Sequence, residues 1–423
     1  MLTNEQQNAL RILLSGRNAF ITGKAGTGKS YLVNQFISIS LDRGKKVIVT
    51  APTGIAALNV DGSTLHRAFK VHPGVLVEAP KLSKIPQEII NADIIVIDEI
   101  SMCRIDLFEY VSKIIFGANK YRYNTDGLGP IQLVVVGDFL QLPPVVTQND
   151  KTVLNDYYGH NIGYGFAFQS ELWNEHNFDF INLKEVTRQS DAEFAKCLSY
   201  VRAGYSNALN YISKMSSPTP IPGAIYLCGT NNKAKEKNDW EFNRLGTKIH
   251  TFKANITGDV NESDKATDTI LQLRIGTRVM TLVNDPSGEY SNGSFGMIES
   301  IDEKTESVVV KMDSGAKVDI LPYTWEIKKY SYDSKLKKLN KEVAGTFEQL
   351  PLKLAWAITI HKSQGQTYDA VNLNPYCWDC GQLYVALSRV KELRKMCIVQ
   401  PLYSKYLVTS KEVIDFYTRM SRN

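Results

Sequence analysis

The sequence predicts an α/β protein built on doubly wound parallel sheets, and three observations carry that expectation. Short apolar runs rich in β-branched residues recur along the chain, each ends in a polar or glycine-rich cluster, and segments of helical spacing separate them. NAFITG leads into GKAGTGKS, KVIVT into APTG, DIIVID into Glu99, and QLVVVG into Asp138. Between the first two runs, Leu32, Val33, Phe36, Ile37 and Leu41 recur at helical spacing and predict a helix over 29–41. Doubly wound sheets bind ligands at the carboxyl ends of their strands, and the special clusters fall there.

The pattern restarts after about residue 180. FINL, AIYLC, AVNL and MCIVQ read as further strands, and the proline-rich stretch 216–223 reads as a loop. Between 296 and 351 the character changes to short strands with turn residues between them, which predicts an all-β insertion. No internal repeat or low-complexity segment interrupts this arrangement.

At 423 residues the chain exceeds one core of about 100–200 residues, so two or three domains are expected. A composition of 43% hydrophobic and 22% charged residues excludes disorder as the main state. No apolar run approaches the roughly 18 residues needed to span a bilayer, so no membrane partner is expected. The N-terminus lacks the charge and apolar run of a secretory signal, and six scattered cysteines fit a reducing compartment; both point to a cytoplasmic protein. The net charge of +5 permits a nucleic-acid partner but equally suits any soluble enzyme.

Gly23-Lys-Ala-Gly-Thr-Gly-Lys29-Ser30 is a complete phosphate-binding loop in the strand-to-helix context the motif demands. Its backbone, through Gly23, Ala25, Gly26, Thr27 and Gly28, wraps phosphates; Lys29 places charge at the β and γ oxygens; Ser30 ligates Mg²⁺. Asp98-Glu99 ends the strand DIIVID, where such enzymes place the metal carboxylate, with the next acid set to deprotonate or orient water. Without the loop, two acids there read as a solvated turn. Gln141, in the GDFLQLPP stretch 137–144, suits a reporter of the γ-phosphate, although that fragment alone reads as a proline-terminated turn. Arg188 and Arg389 are the candidate cations for the far side of the nucleotide; read singly, either is a surface ion pair. Cys377-Trp-Asp-Cys380 has no second pair and reads as loop.

In this order, these pieces resemble a superfamily 1B helicase, specifically the petite-integration-frequency (PIF) family of 5′-to-3′ DNA helicases. LTNEQ at the start resembles the family's adenine-reading motif, TAPTGIAA and GSTLH its first DNA-contacting motifs, and IDEISM, VGDFLQLPPV and VTRQ motifs II, III and IV. AITIHKSQGQT and YVALSRV resemble motifs V and VI, and the segment from Arg104 to Leu133 resembles the family signature, with Pro130 in place of a second glycine and a longer loop at 121–126. The resemblance covers nearly the whole chain. It implies two RecA-like P-loop domains, 1–180 and 181–423, with a small wedge insertion near 67–80 in the first and an SH3-like β-barrel insertion near 296–351 in the second.

Carried over by residue, it makes Lys29 and Ser30 phosphate and Mg²⁺ contacts, Asp98 the metal carboxylate, Glu99 the base and Gln141 the sensor. Arg188 and Arg389 become arginine fingers, Gly365 approaches the nucleotide, and Gln6 reads adenine with Gln7 as the alternative. ATP and Mg²⁺ are the implied cofactors. The implied partners are single-stranded DNA and forked or structured DNA, the free protein being a monomer. Pro52, Thr53, Thr64 and His66 would grip the strand from the first sheet, and Thr359, His361, Lys362 and Ser363 from the second. Phe69 is either a stacking wedge or a core aromatic, and His66 and His361 taken alone read as structural histidines. Between 328 and 341, six lysines face one acid, Asp333; this is either a DNA contact or a solvated hairpin guarding a sheet edge. The leading reading is an ATP-dependent helicase; the alternatives are a nucleotide-gated DNA clamp without processive unwinding and an ATPase that remodels proteins. With no long extension on either motor region, a compact bacterial or phage form is expected.

Overall fold

Six parallel strands build the first sheet: β1 (Ala19–Gly23), β2 (Val47–Ala51), β3 (Ser63–Thr64), β4 (Ile94–Ile97), β5 (Gln132–Val136) and β6 (Asp179–Leu183). The computed structural model describes residues 2–72, 74–78, 80, 85–125, 129–186, 191–260, 265–333 and 338–421. The strand order is β3-β2-β4-β5-β1-β6. The three central strands, β4, β5 and β1, are buried along their whole length, which is why they read as unbroken apolar runs. Their side chains still alternate between two cores. Ile94 and Val96 pack with Leu32, Val33 and Phe36 of helix Lys29–Asp42, while Ile95 and Ile97 pack with Phe108 and Val111 of helix Ile105–Thr125.

One consequence positions everything that follows. Because β4, β5 and β1 are neighbours, the loops after Ile97, Val136 and Gly23 open side by side at one edge of the sheet.

The chain divides into two compact units, one comprising 1–224, 334–338 and 363–423, the other 225–333 and 339–362. The expected boundary at 180 therefore needs correction, because it falls inside β6, whose five residues all pair with β1. Within the first unit, helix Lys411–Met420 returns Val413 and Phe416 to the core beneath the sheet. Two short strands, Val371–Leu373 and Met396–Ile398, pair in parallel in the same unit.

The second unit opens with β7 (Ile225–Cys228) and helix Asn231–Arg244, then becomes antiparallel. Here β8 (His250–Lys253) and β9 (Asn255–Gly258) precede β10 (Ile270–Leu273), β11 (Arg278–Thr281), β12 (Phe295–Asp302), β13 (Ser307–Met312) and β14 (Lys317–Ile320). They are followed by β15 (Tyr323–Asp333), β16 (Lys338–Gln349), β17 (Leu352–Leu354) and β18 (Ala357–Thr359). β14, β13, β12, β11 and β17 form a five-stranded sheet over a core of Val279, Ile298, Val308, Val310 and Ile320. β15 and β16 lie side by side with β9, as the hairpin reading of 328–341 expects, although the lysine side chains there lie outside the described residues.

The all-β region thus begins at His250, well before the expected 296. Its first strands are only four residues long, too short for their alternation to stand out. β18 closes the unit by pairing in parallel with β7. Among the described residues no helix is long and apolar enough to cross a membrane.

His176 offers a test of the larger core. It stacks on Phe116 with ring centroids 4.6 Å apart, its Nε2 lies 2.9 Å from the Ser112 hydroxyl, and burial pushes its pKa down from 6.5 to about 4. The unfolded chain takes up a proton near pH 6.5 that the folded chain refuses until about pH 4, so stability present at neutral pH is lost as pH falls through that window. The loss is on the order of 3 kcal/mol. A urea titration at pH 7 and pH 4.5 should show a smaller drop for His176→Gln than for the parent chain; equal drops would place the proton uptake elsewhere.

Candidate active site

The phosphate loop is shaped by its backbone before any side chain acts. Gly28 takes φ 76°, a left-handed conformation, as the N-cap of helix Lys29–Asp42, and it offers no side chain to bond the first-turn amides. Those amides and the helix dipole are left for an anion. Lys29 Nζ donates to the carbonyls of Gly23 (2.8 Å) and Lys24 (3.1 Å), curling over the loop. Burial lowers its proton affinity, while Asp138, Glu99 and Asp98 oppose that shift.

Ala25, Gly26, Gly28, Lys29 and Ser30 line a cavity of about 210 Å³ together with Asp98, Glu99, Gln141, Gly365 and Arg389. The loop motif, the two acids, Gln141, Gly365 and one arginine therefore converge. Thr27 lies beneath the loop, its hydroxyl donating to the Lys24 carbonyl at 3.0 Å.

Asp98 is 7% exposed, and burial followed by repulsion from Glu99 pushes its pKa up to about 7. The Glu99 amide, donating to Asp98 Oδ1 at 2.8 Å, and the Lys29 charge pull the other way without prevailing. A carboxylate so short of positive charge, in one cavity wall with the Ser30 hydroxyl, is a hard-oxygen donor set that fits Mg²⁺. Glu99 itself stands at φ 50°, a strained conformation for a non-glycine residue.

Gln141 hangs from a tight turn in which its amide donates to the Asp138 carbonyl at 2.8 Å. Its Oε1 is buried without a hydrogen-bond partner, an acceptor that the proton of a water would satisfy. Gly381, at φ 68°, packs on this turn so closely that a Cβ would lie 2.3 Å from the Gln141 carbonyl oxygen. Asp138 below is fully buried and held bidentate by Arg202, with both bonds at 2.8 Å, while the Tyr417 hydroxyl donates to it at 3.3 Å.

Several expectations change. Gln6 is buried and donates to the Thr27 carbonyl at 3.1 Å while accepting from the Thr3 amide, so here it braces the phosphate loop instead of facing adenine. Gln7 is exposed and bonds only within its own turn. Arg389 lines the cavity but is 2% exposed and donates to the carbonyls of Ser363, Gln366 and Val385. Arg188 lies outside the described residues.

Of the residues expected to grip DNA, Pro52 and Thr53 follow β2, and Thr64 ends β3. The Thr53 and Thr64 hydroxyls cap the short helices behind them by accepting from Ala56 and Arg67, which leaves each hydroxyl proton to donate. His66 is half-buried, and burial with the nearby Arg104 holds its proton affinity below the ordinary value.

Phe69 is 2% exposed within the core around Leu65, Ile89 and Phe108, so it has no face for a base; the core reading is the correct one. Val71 joins the same core, and Arg104 donates to the Gly74 carbonyl, so the described part of 67–80 is bound down to the sheet. Ser363 is likewise fully buried, and its carbonyl serves Arg389.

In the second unit, Thr359 and Lys362 line a cavity with Asn231, Lys235 and Lys353. Burial, helped by Lys353, pushes Lys362 down to about 8, and His361 beside it is half-buried. Cys377 and Cys380 are buried.

Sequence reasoning missed Arg202, Tyr384, Tyr417 and Gln364. Tyr384 accepts from the Ala25 amide of the phosphate loop at 2.6 Å, and Gln364 donates to Glu99 Oε2 at 3.1 Å. Gln364 lay beside Gly365 in the SQGQT run and Tyr384 opened the YVALSRV run; Arg202 and Tyr417 depend on Asp138, which lies 64 and 279 residues away from them.

A family profile described as PIF1-like helicase matches residues 1–214. The chain is 29% identical to the ATP-dependent DNA helicase Pif1 of Campylobacter jejuni, over 97% of this chain and 96% of that one. It is 31% identical to ATP-dependent DNA helicase PIF1 of Xenopus laevis over its whole length but spans only 65% of that protein. Among solved structures, Bacteroides Pif1 bound to single-stranded DNA superposes with a TM-score of 0.82 at 31% identity, covering 99% of this chain and 97% of that one. The Bacteroides complex with ADP-AlF3 and single-stranded DNA gives 0.83 at 30% identity, covering 100% and 98%.

The Asp138–Arg202 pair is open to a direct test. Arg202→Met should destabilise the chain by about 3–5 kcal/mol in urea, because it strands a fully buried carboxylate. Adding Asp138→Asn should recover at least half of that loss. A double variant no more stable than Arg202→Met alone would mean that the arginine acts through packing, not charge.

Proposed function

We propose, from the premise that the chain belongs to the PIF1-like helicase family, that it is an ATP-hydrolysing DNA helicase that moves 5′-to-3′ on single-stranded DNA and unwinds duplex. The observation that carries this reading is the convergence of Lys29, Ser30, Asp98, Glu99, Gln141 and Arg389 on one cavity.

In the catalytic cycle, Lys29 gives up its two carbonyl partners for the β and γ oxygens of ATP, and the open amides of its helix take the remaining phosphate contacts. Glu99 accepts the proton of the attacking water. The unpartnered Oε1 of Gln141 accepts the water's second hydrogen, so the side chain registers whether the γ-phosphate and its nucleophile are in place. Ser30 and Asp98 would hold Mg²⁺, which would supply charge neutralisation for the phosphates. Arg188 and Arg389 contribute positive charge toward the γ-phosphate.

Strand contact falls to Pro52, Thr53, Thr64 and His66 in one unit and to Thr359, His361 and Lys362 in the other. Hydroxyls, main-chain amides and one lysine grip phosphates without reading bases, as a motor on arbitrary sequence requires. Alternating grip, driven by the loss of the γ-phosphate contacts at hydrolysis, moves the strand in one direction. The five-stranded antiparallel sheet of the second unit is read as the family's SH3-like barrel, residues near 67–80 as its wedge, and the free protein as a cytoplasmic monomer. Support for the DNA partners comes from the relatives, among them a forked double-stranded DNA complex of two coordinating Pif1 helicases at 30% identity and a TM-score of 0.84, covering 100% of this chain and 98% of that one.

Partial duplexes with a 5′ or a 3′ single-stranded tail test the assignment. Unwinding is expected only with ATP and only from the 5′ tail; unwinding confined to the 3′ tail would reverse the polarity, and none from either tail would leave a nucleotide-gated clamp. Glu99→Gln should bind ADP as the parent does and lose at least about 100-fold in DNA-stimulated turnover. Normal turnover in that variant would move the base elsewhere.

A further inference from the structure

Gln364 has no part in the cycle above, yet it touches the residue on which the chemistry turns. Its Nε2 donates to Glu99 Oε2 at 3.1 Å and to the Ser101 hydroxyl at 3.3 Å. The side chain is 4% exposed, and its Oε1 is buried without a hydrogen-bond partner. An amide oxygen left unbonded inside a protein opposes folding, so the packing keeps this amide turned toward the acid against its own stability.

Glu99 needs such a fix. Its backbone sits at φ 50°, and nothing in a strained turn sets the rotation of a long carboxylate. With Oε2 tied to Gln364, Oε1 is the oxygen left for water.

The backbone on either side of Gln364 is pinned as well. Arg389 Nη1 donates to the carbonyls of Ser363 (3.0 Å) and Gln366 (2.9 Å), and Arg389 is itself anchored on the Val385 carbonyl and the Ser388 hydroxyl. Along the chain, the residues just before this clamp are Thr359, His361 and Lys362.

We propose that Gln364 is a positioning residue that orients the Glu99 carboxylate and, resting on the helicase reading, passes strand engagement at 359–362 to the base. A strand drawn against Thr359 and Lys362 pulls on a segment that continues through Ser363 into Gln364, which holds the acid. Hydrolysis is then fast only when the track is held.

The test uses the full chain with Gln364→Ala and the volume-preserving Gln364→Met, each with Glu99 or Glu99→Gln. ATP turnover is measured with and without saturating oligothymidylate, and affinity for a fluorescent ADP in parallel. With Glu99 present, kcat on DNA should fall about 10- to 100-fold while KM and ADP affinity stay within about two-fold. The ratio of DNA-stimulated to basal rate should fall toward one. On the Glu99→Gln background the same substitutions should change the residual rate less than about two-fold, because the residue they orient has already lost its function. An unchanged kcat, an equal loss on both backgrounds, or a loss of ADP affinity in both variants would overturn the proposal, the last two by exposing a structural role. If the parent chain hydrolyses ATP but DNA does not accelerate it, the helicase reading fails on its own; dependence on Glu99 then still decides the positioning role.

Discussion

Two carboxylates side by side at the end of a buried strand are the constraint from which the first unit is built. Asp98 and Glu99 follow four consecutive buried residues, and in such surroundings like charges a few ångströms apart repel far more than in water. The pKa of Asp98, raised by burial and by its neighbour, is the visible cost. What surrounds the pair offsets it: the Lys29 charge, the open amides of the phosphate-loop helix, and a glutamine donating to the second acid. The buried Arg202–Asp138 pair next door adds no net charge, so it stiffens the sensor turn without disturbing the balance. Positive charge brought to this site would relieve the repulsion between the two acids.

The strand order turns that local constraint into geometry. A sheet running β3-β2-β4-β5-β1-β6 sets the carboxyl ends of β4, β5 and β1 next to one another, so three loops distant in sequence face one volume. Burial on both faces makes those strands rigid, and rigidity lets a base and a sensor be placed within a fraction of an ångström. Thr53, just past β2, and Thr64, at the end of the edge strand β3, stand apart from these three loops.

What the sequence disclosed follows from the same division. The phosphate loop, the acids and Gln141 were legible because each lies within a few residues of a strand end, where local spacing dictates chemistry. The central strands were legible because burial on two faces leaves an unbroken apolar signature. The motif positions of Gln6, Phe69 and Ser363 say nothing about what covers each residue: the first braces the loop, and the other two are buried. Arg202 and Tyr384 were invisible because their partners, Asp138 and Ala25, lie 64 and 359 residues away. The short strands from His250 onward escaped notice because four residues of alternation are too few to rise above chance.

The arginines explain why net charge was so poor a guide to the partner. Arg104 is held by Asp106 and Asp150, Arg122 by the carbonyls of Ile90, Ala92 and Gly129, Arg202 by Asp138, and Arg389 by carbonyls of the 363–366 segment and Val385. Each of these cations counts toward the formal +5, and each is committed inside the protein. Arginine suits that work because its planar fork can satisfy several acceptors at once and stays charged when buried. In the proposed cycle the strand is held by threonines, histidines and a lysine whose charge burial has already weakened. Weak, dispersed contacts release easily, and a motor that steps along DNA has to release its track in every cycle.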